Sequence, residues 1–187
     1  MKNWTREDIL RLAGVVVAFV IGIAGLFFSK TIVVMQPPAQ PNFLVYNNSD
    51  YPINIKYPKD WNKTEEVELG LKRVKFLPNV SQISQVTVEI EELGKLPTLD
   101  DYTNSYINDI IQPKPNDNLQ KSDYSLSKGF GYKLVFNKVN EQGVLTKNMT
   151  ILTLQNGKAY IITYTAEESQ YNQYLETAQR MIDSLNE

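Results

Sequence analysis

The sequence predicts an α+β fold, a central antiparallel β-sheet flanked by helices and preceded by one transmembrane helix. Three observations carry that expectation. An apolar run near the N-terminus is long enough to cross a bilayer, a series of short segments has the composition and alternation of strands, and two stretches carry apolar residues at helical spacing. With 187 residues, 42% of them hydrophobic, the chain has room for one domain of ordinary size and an appendage.

The first element in order is the apolar run. Leu12 to Phe28 contains no charge, and after Ser29 and Lys30 the sequence resumes apolar from Thr31 to Met35. A span needs roughly 20 residues at about 1.5 Å each, and Lys30 can reach back to the interface with its amine. A cleavable signal peptide is the competing reading, but the run exceeds the usual apolar region of about 7 to 15 residues and no Ala-x-Ala pattern closes it. Residues 1–11 carry Lys2, Arg6 and Arg11, against Lys30 alone close behind the span, so the positive-inside rule puts residues 1–11 in the cytoplasm. Residues 12–35 are then expected to be a single-pass anchor in a cell membrane, with residues 36–187 outside the cytoplasm. Gly14, Ala18 and Gly22 recur every four residues and form a small-residue seam on which a second membrane helix can pack.

Residues 36–41, Gln-Pro-Pro-Ala-Gln-Pro, favour a short polyproline II spacer, and the outer domain occupies residues 42–187. Strands are expected at 43–46, 51–57, 71–77, 85–91, 132–138, 145–155 and 158–165. In the fourth, Val86, Val88 and Ile90 alternate with Thr87, Glu89 and Glu91, giving one dry and one wet face. Asn156-Gly157 supplies the two positive φ angles of a tight hairpin between the last two strands. Lys128-Gly129-Phe130-Gly131-Tyr132 contains Gly-x-Gly, but it lies between strands and is expected to be a turn and not a phosphate loop. The first helix opens at Thr98, whose hydroxyl can cap it while Asp100 and Asp101 favour its positive end. Its buried face is expected to carry Leu99, Tyr102, Tyr106 and Ile110. The second runs from about Ser169 to the C-terminus with Tyr171, Leu175, Ala178, Ile182 and Leu185 on its inner face.

Composition narrows function by exclusion. The 19 basic and 21 acidic residues nearly cancel, which removes the electrostatic footprint that nucleic-acid binding needs. There is no cysteine and no histidine, so thiol chemistry, thiolate metal sites and the commonest general base are all missing, and the chain is not expected to be an enzyme. No cofactor is expected. Glu89 and Glu91 fall close in sequence to Asp100 and Asp101, a set of oxygens that could hold a hard cation such as calcium, yet no calcium-loop spacing accompanies them. Four sequons, at Asn47, Asn62, Asn79 and Asn148, would be available for glycosylation outside the cytoplasm. Tyr57, Tyr102, Tyr132, Tyr160 and Tyr164 fall on expected strands or a helix face and could line a pocket for a small apolar ligand such as a lipid or pigment, or could simply be core.

Tyr51-Pro52-Ile53-Asn54-Ile55-Lys56-Tyr57-Pro58-Lys59-Asp60-Trp61 resembles the opening of the PsbP-like family, in which an alternating strand ends in Tyr-Pro-x-x-Trp. Tyr160 to Ala166, followed by Tyr171 and Ile182-Asp183-Ser184-Leu185, resembles that family's closing hairpin and helix. The likeness extends over residues 43–187. It implies a PsbP-like sandwich in non-enzymatic proteins that support or help assemble membrane complexes, the best known being extrinsic subunits of photosystem II. The physical content of the motif is structural: Pro58 stops the strand and Trp61 can fold its ring back onto the sheet, burying a large apolar surface. Metal roles in photosynthetic members lean partly on histidine, and bacterial members are often lipid-anchored through cysteine; this chain has neither residue. Two functions are therefore carried forward: an anchored accessory subunit that binds a partner in a membrane complex, and a carrier or sensor of a small apolar ligand.

Overall fold

A computed structural model describes residues 42–68, 71–81 and 83–185. The expected anchor at 12–35, the linker at 36–41 and the seam of Gly14, Ala18 and Gly22 lie outside the described residues. Among the described residues no helix is long and apolar enough to cross a membrane.

Among the described residues nine strands form two antiparallel sheets. The smaller pairs β1 (Phe43–Asn48) with β2 (Ile53–Pro58). The larger contains β3 (Trp61–Glu68), β4 (Leu71–Pro78), β5 (Gln85–Glu92), β6 (Gln120–Leu126), β7 (Gly129–Val139), β8 (Leu145–Gln155) and β9 (Lys158–Glu167), in the spatial order β3-β4-β5-β9-β8-β7-β6. Between β5 and β6 lies helix α1 (Leu99–Tyr106), continued by a π-helical turn (Ile107–Ile111), and the chain closes with helix α2 (Tyr171–Asp183).

The alternation of β5 decides the layering. Val86, Val88 and Ile90 are buried on one face together with Val74 and Phe76 of β4 and Tyr160, Ile162 and Tyr164 of β9, and the β1–β2 hairpin and α2 cover that face. Ile53, Ile55 and Tyr57 come from the hairpin, Tyr171, Ala178, Met181 and Ile182 from the helix. Each large apolar side chain contributes about 1.5–3 kcal/mol by leaving water, so this cluster is the main source of stability. Polar links align the layers. Tyr164 donates to the Tyr171 carbonyl at 2.7 Å, and buried Ser184, the C-cap of α2, accepts from the Lys56 amide at 2.9 Å while donating to the Met181 carbonyl at 2.7 Å.

The Tyr-Pro-x-x-Trp segment is the corner between the two sheets. β2 ends at Pro58, Lys59 and Asp60 turn the chain, and Trp61 opens β3 opposite Pro78. The indole is 6% exposed and meets Tyr174 of α2 edge-on at 5.8 Å, so Trp61 fastens the edge of the large sheet to the covering helix.

Three expectations need correction. β3 and β6 are additional strands: their sequences, WNKTEEVE and QKSDYSL, are mostly polar edge strands with too few apolar residues to alternate. Gly131 lies inside β7, paired with Tyr124, and not in a turn; glycine is needed there because a Cβ would sit 2.5 Å from the Leu152 carbonyl oxygen of the neighbouring strand. In the first helix Ile110 is 59% exposed and Ile111 is buried, since the π-helical turn adds a residue to the repeat and moves the apolar stripe on by one position. Thr103 also joins the buried side. The Thr98 cap is as expected, accepting from the Asp101 amide at 3.1 Å, and so is the hairpin, with φ of 51° at Asn156 and 78° at Gly157.

Candidate groove on the half-covered sheet face

The opposite face of the large sheet is covered over only part of its width. Strand registers lay out its rows. One runs Tyr132, Leu152, Ile161, Glu89, Arg73 and Glu66 from β7 to β3, and the next runs Leu134, Thr150, Thr163, Thr87, Lys75 and Thr64. The first turns from apolar to charged between β9 and β5, and the second passes from Leu134 through a run of threonines to Lys75. Helix α1 and its π turn cover the apolar side, where Ile111, Leu134, Phe136, Leu152, Ala159 and Ile161 form a second, smaller core. The polar side remains open as a groove of about 650 Å³ floored by β4, β5 and β9 and walled by α1.

Side chains in this groove hold one another in place. Arg73 donates from Nε to Glu89 Oε1 at 2.5 Å and approaches Glu66 at 3.8 Å, and Lys75 contacts Glu66 at 2.9 Å. The Tyr102 phenol donates to Glu91 at 2.6 Å from the helix wall. Thr150 and Thr163 share a hydrogen bond of 3.0 Å on the floor. Burial pushes the Tyr106 phenol up to about 12, reinforced by the charge of Glu89 and opposed by a hydrogen bond with Thr163. Tyr102 is raised further, first by burial and then by its bond to Glu91. Both phenols therefore stay protonated at neutral pH, Tyr102 donating to Glu91, and the charged groups are arranged as complementary pairs.

The candidate cation ligands are separated by this arrangement. Glu89 faces Arg73 and Glu91 faces Tyr102, whereas Asp100 pairs with Lys121 at 3.0 Å and Asp101 accepts from the Thr98 hydroxyl at 2.7 Å within the helix cap. The Asp100 carboxyl is held below its usual range by the Lys121 bond first and a bond from Tyr132 second. Among the described residues no three metal-ligating side chains gather.

The tyrosines do not form one pocket. Tyr57, Tyr160 and Tyr164 belong to the packed core beneath α2, Tyr102 stands at the groove wall, and Tyr132 lies beside Asp100 with Lys121 over its ring at 3.8 Å. Of the sequons, Asn47, Asn62 and Asn79 are exposed. Asn148 is corrected: it is 6% exposed, its amide donates to Thr146 and its oxygen accepts from Thr165 at 2.8 Å, so a glycan has no room there in the folded domain. Arg73, Lys75, Thr163 and Thr165 join the site beyond the residues that sequence patterning marks. A signal for them exists in the sequence, because they alternate with the buried residues of β4 and β9 as Thr87, Glu89 and Glu91 do on β5.

No curated protein matches the chain. Among solved structures it is similar to the cyanobacterial PsbP of Synechocystis sp. PCC 6803, at 15% identity with a TM-score of 0.58, covering 84% of this chain and 99% of that one. It is also similar to PA94 of Pseudomonas aeruginosa, a protein of unknown function, at 13% identity with a TM-score of 0.53, covering 78% of this chain and 97% of that one. These likenesses are in fold. The family model described as PsbP matches residues 41–186, and the chain belongs to the PsbP family.

Proposed function

We propose that this chain is a non-catalytic accessory subunit of a membrane complex, held to the membrane by residues 12–35 and binding a partner protein in the groove over β4, β5 and β9. The observation that carries the reading is the abrupt change of the sheet face from an apolar half under α1 to an open half bearing Arg73, Lys75, Glu89 and Glu91. The open half holds ion pairs and the Tyr102 phenol in defined positions, which suits an extended polar segment of a partner. Its mixed lining favours such a segment over a small apolar ligand.

The family assignment supports an accessory role. The charge bias around the apolar run supports an N-terminus in the cytoplasm and a domain outside it. Tethering raises the local concentration of a partner in the same membrane, to the millimolar scale for short linkers, so a groove of modest affinity suffices. Cross-linking mass spectrometry on the full chain in its own membranes tests the proposal. A recurrent membrane-complex partner, linked through Lys75 at the groove, is expected. A reproducibly solitary chain contradicts it.

A further inference from the structure

The sheet has two ends, and the chain enters the domain at one of them. The Lys59 amide donates to the Asn42 carbonyl at 2.8 Å, placing the start of the described domain beside the Pro58–Trp61 corner. Trp61 lies opposite Pro78, Gln85 opposite Thr165, Thr146 opposite Glu167 and Val139 opposite Leu145. The β4–β5 loop and the β7–β8 turn therefore share this entry end. There Val80 is 85% exposed, Val139 59% and Leu145 43%, and Ile83 and Val139 line one recess of about 420 Å³.

We infer that this end of the sheet, through Val80, Ile83, Val139 and Leu145, rests in the headgroup region of a lipid bilayer. The inference depends on the proposed anchoring by residues 12–35. Exposed apolar side chains alone do not choose an end, since Leu96 is 67% and Val67 65% exposed at the other. The length of chain outside the structure does choose. Six residues, 36–41, reach at most about 21 Å, at about 3.5 Å per residue. The sheet is longer than that: β8 alone has 11 residues, about 37 Å at about 3.4 Å each. When the domain stands on its entry end, Leu96 and Val67 are held away from the lipid while Val80, Val139 and Leu145 are held against it. Exposed charges at this end, Lys59 and Lys138 with Asp60, Glu141 and Glu168, carry no positive excess, so contact should come from apolar insertion and need no anionic lipid.

The chain has no cysteine, so single-cysteine labels can be read without background. The full chain, reconstituted in phosphatidylcholine nanodiscs carrying a headgroup-depth quencher, is labelled at Val80→Cys, Leu145→Cys, Leu96→Cys or Val67→Cys. Quenching several-fold stronger at positions 80 and 145 than at 96 and 67 is expected. Equal quenching at the two ends, or stronger quenching at 96, overturns the orientation. Flotation with vesicles is measured on the same samples: a chain that floats without end bias loses this inference alone, whereas one that does not float loses the anchoring with it. Protection of positions 80 and 145 only in native membranes and not in nanodiscs assigns the patch to a partner protein and overturns lipid contact. An occupied glycan at Asn79 overturns it too.

Discussion

The two faces of β5 show how one strand can serve stability on one side and recognition on the other. Val86, Val88 and Ile90 lie in a core closed by two layers, the β1–β2 hairpin and α2, whereas Thr87, Glu89 and Glu91 look into a groove that α1 only borders. The first face is apolar through the middle of the sheet, from Val74 and Phe76 on β4 to Met149 and Ile151 on β8, and the second changes character between β9 and β5. A short α1 prolonged by a π turn covers only the apolar half. Coverage therefore follows composition: packing ends where the rows become charged.

Neighbouring residues on one strand give the largest test of that contrast. Phe76 is fully buried on the packed face and Lys75 projects into the groove. Phe76→Ala should cost about 3–5 kcal/mol in denaturant unfolding, and Lys75→Ala about 1 kcal/mol or less while weakening partner binding. Similar losses from both substitutions would erase the distinction between the faces.

Alkali probes whether the groove protects its tyrosines as the core does. Tyr106 beside the groove and Tyr171 in the core are both pushed up to about 12 by burial. A phenol raised in the folded state leaves stability intact below its unfolded value of about 10 and removes it progressively as pH rises towards the folded value. Absorbance titration of tyrosinate should show Tyr106→Phe and Tyr171→Phe each removing a late-ionising phenol. A Tyr106 that ionises near the ordinary value would mean that the groove wall is open to water.

Smaller effects belong to the groove wall and the central hairpin. Gly157→Ala forces a side chain into φ of 78° and should cost about 1–2 kcal/mol by thermal unfolding, without changing the groove. Thr98→Ala removes the hydroxyl that accepts from Asp101 and should lower stability by about 1 kcal/mol, with faster amide exchange confined to α1. Lys121→Ala, at an exposed pair, should shift stability by less than about 1 kcal/mol.

Sequence patterning reveals what local physics dictates. The Asn156-Gly157 hairpin, the Thr98 cap and the strand ending at Pro58 are legible because turn angles, capping hydroxyls and the missing proline amide act within a few residues. β3 and β6 are not, because a polar edge strand is defined by the neighbour it pairs with. The step from Ile110 to Ile111 is hidden by the π turn, which no spacing rule of 3.6 residues anticipates. The wet face of β5 is readable, yet its meeting with Arg73 on β4 and Tyr102 on α1 depends on strand order, and so does the shape of the groove. Asn148 carries a sequon whose closure depends on contacts with Thr146 and Thr165, one of them on another strand.

Whether a partner sits on the half-covered face can be asked at single positions. A photo-activatable cross-linker introduced in the full chain at Thr87 or Ser105, both lining the groove, is compared with one at Asn172, exposed on α2. Adducts to the same membrane-complex subunit from positions 87 and 105, and none from 172, are expected if the groove is the docking face. Adducts from Asn172 with the groove positions silent would place the partner elsewhere and refute that role for the groove.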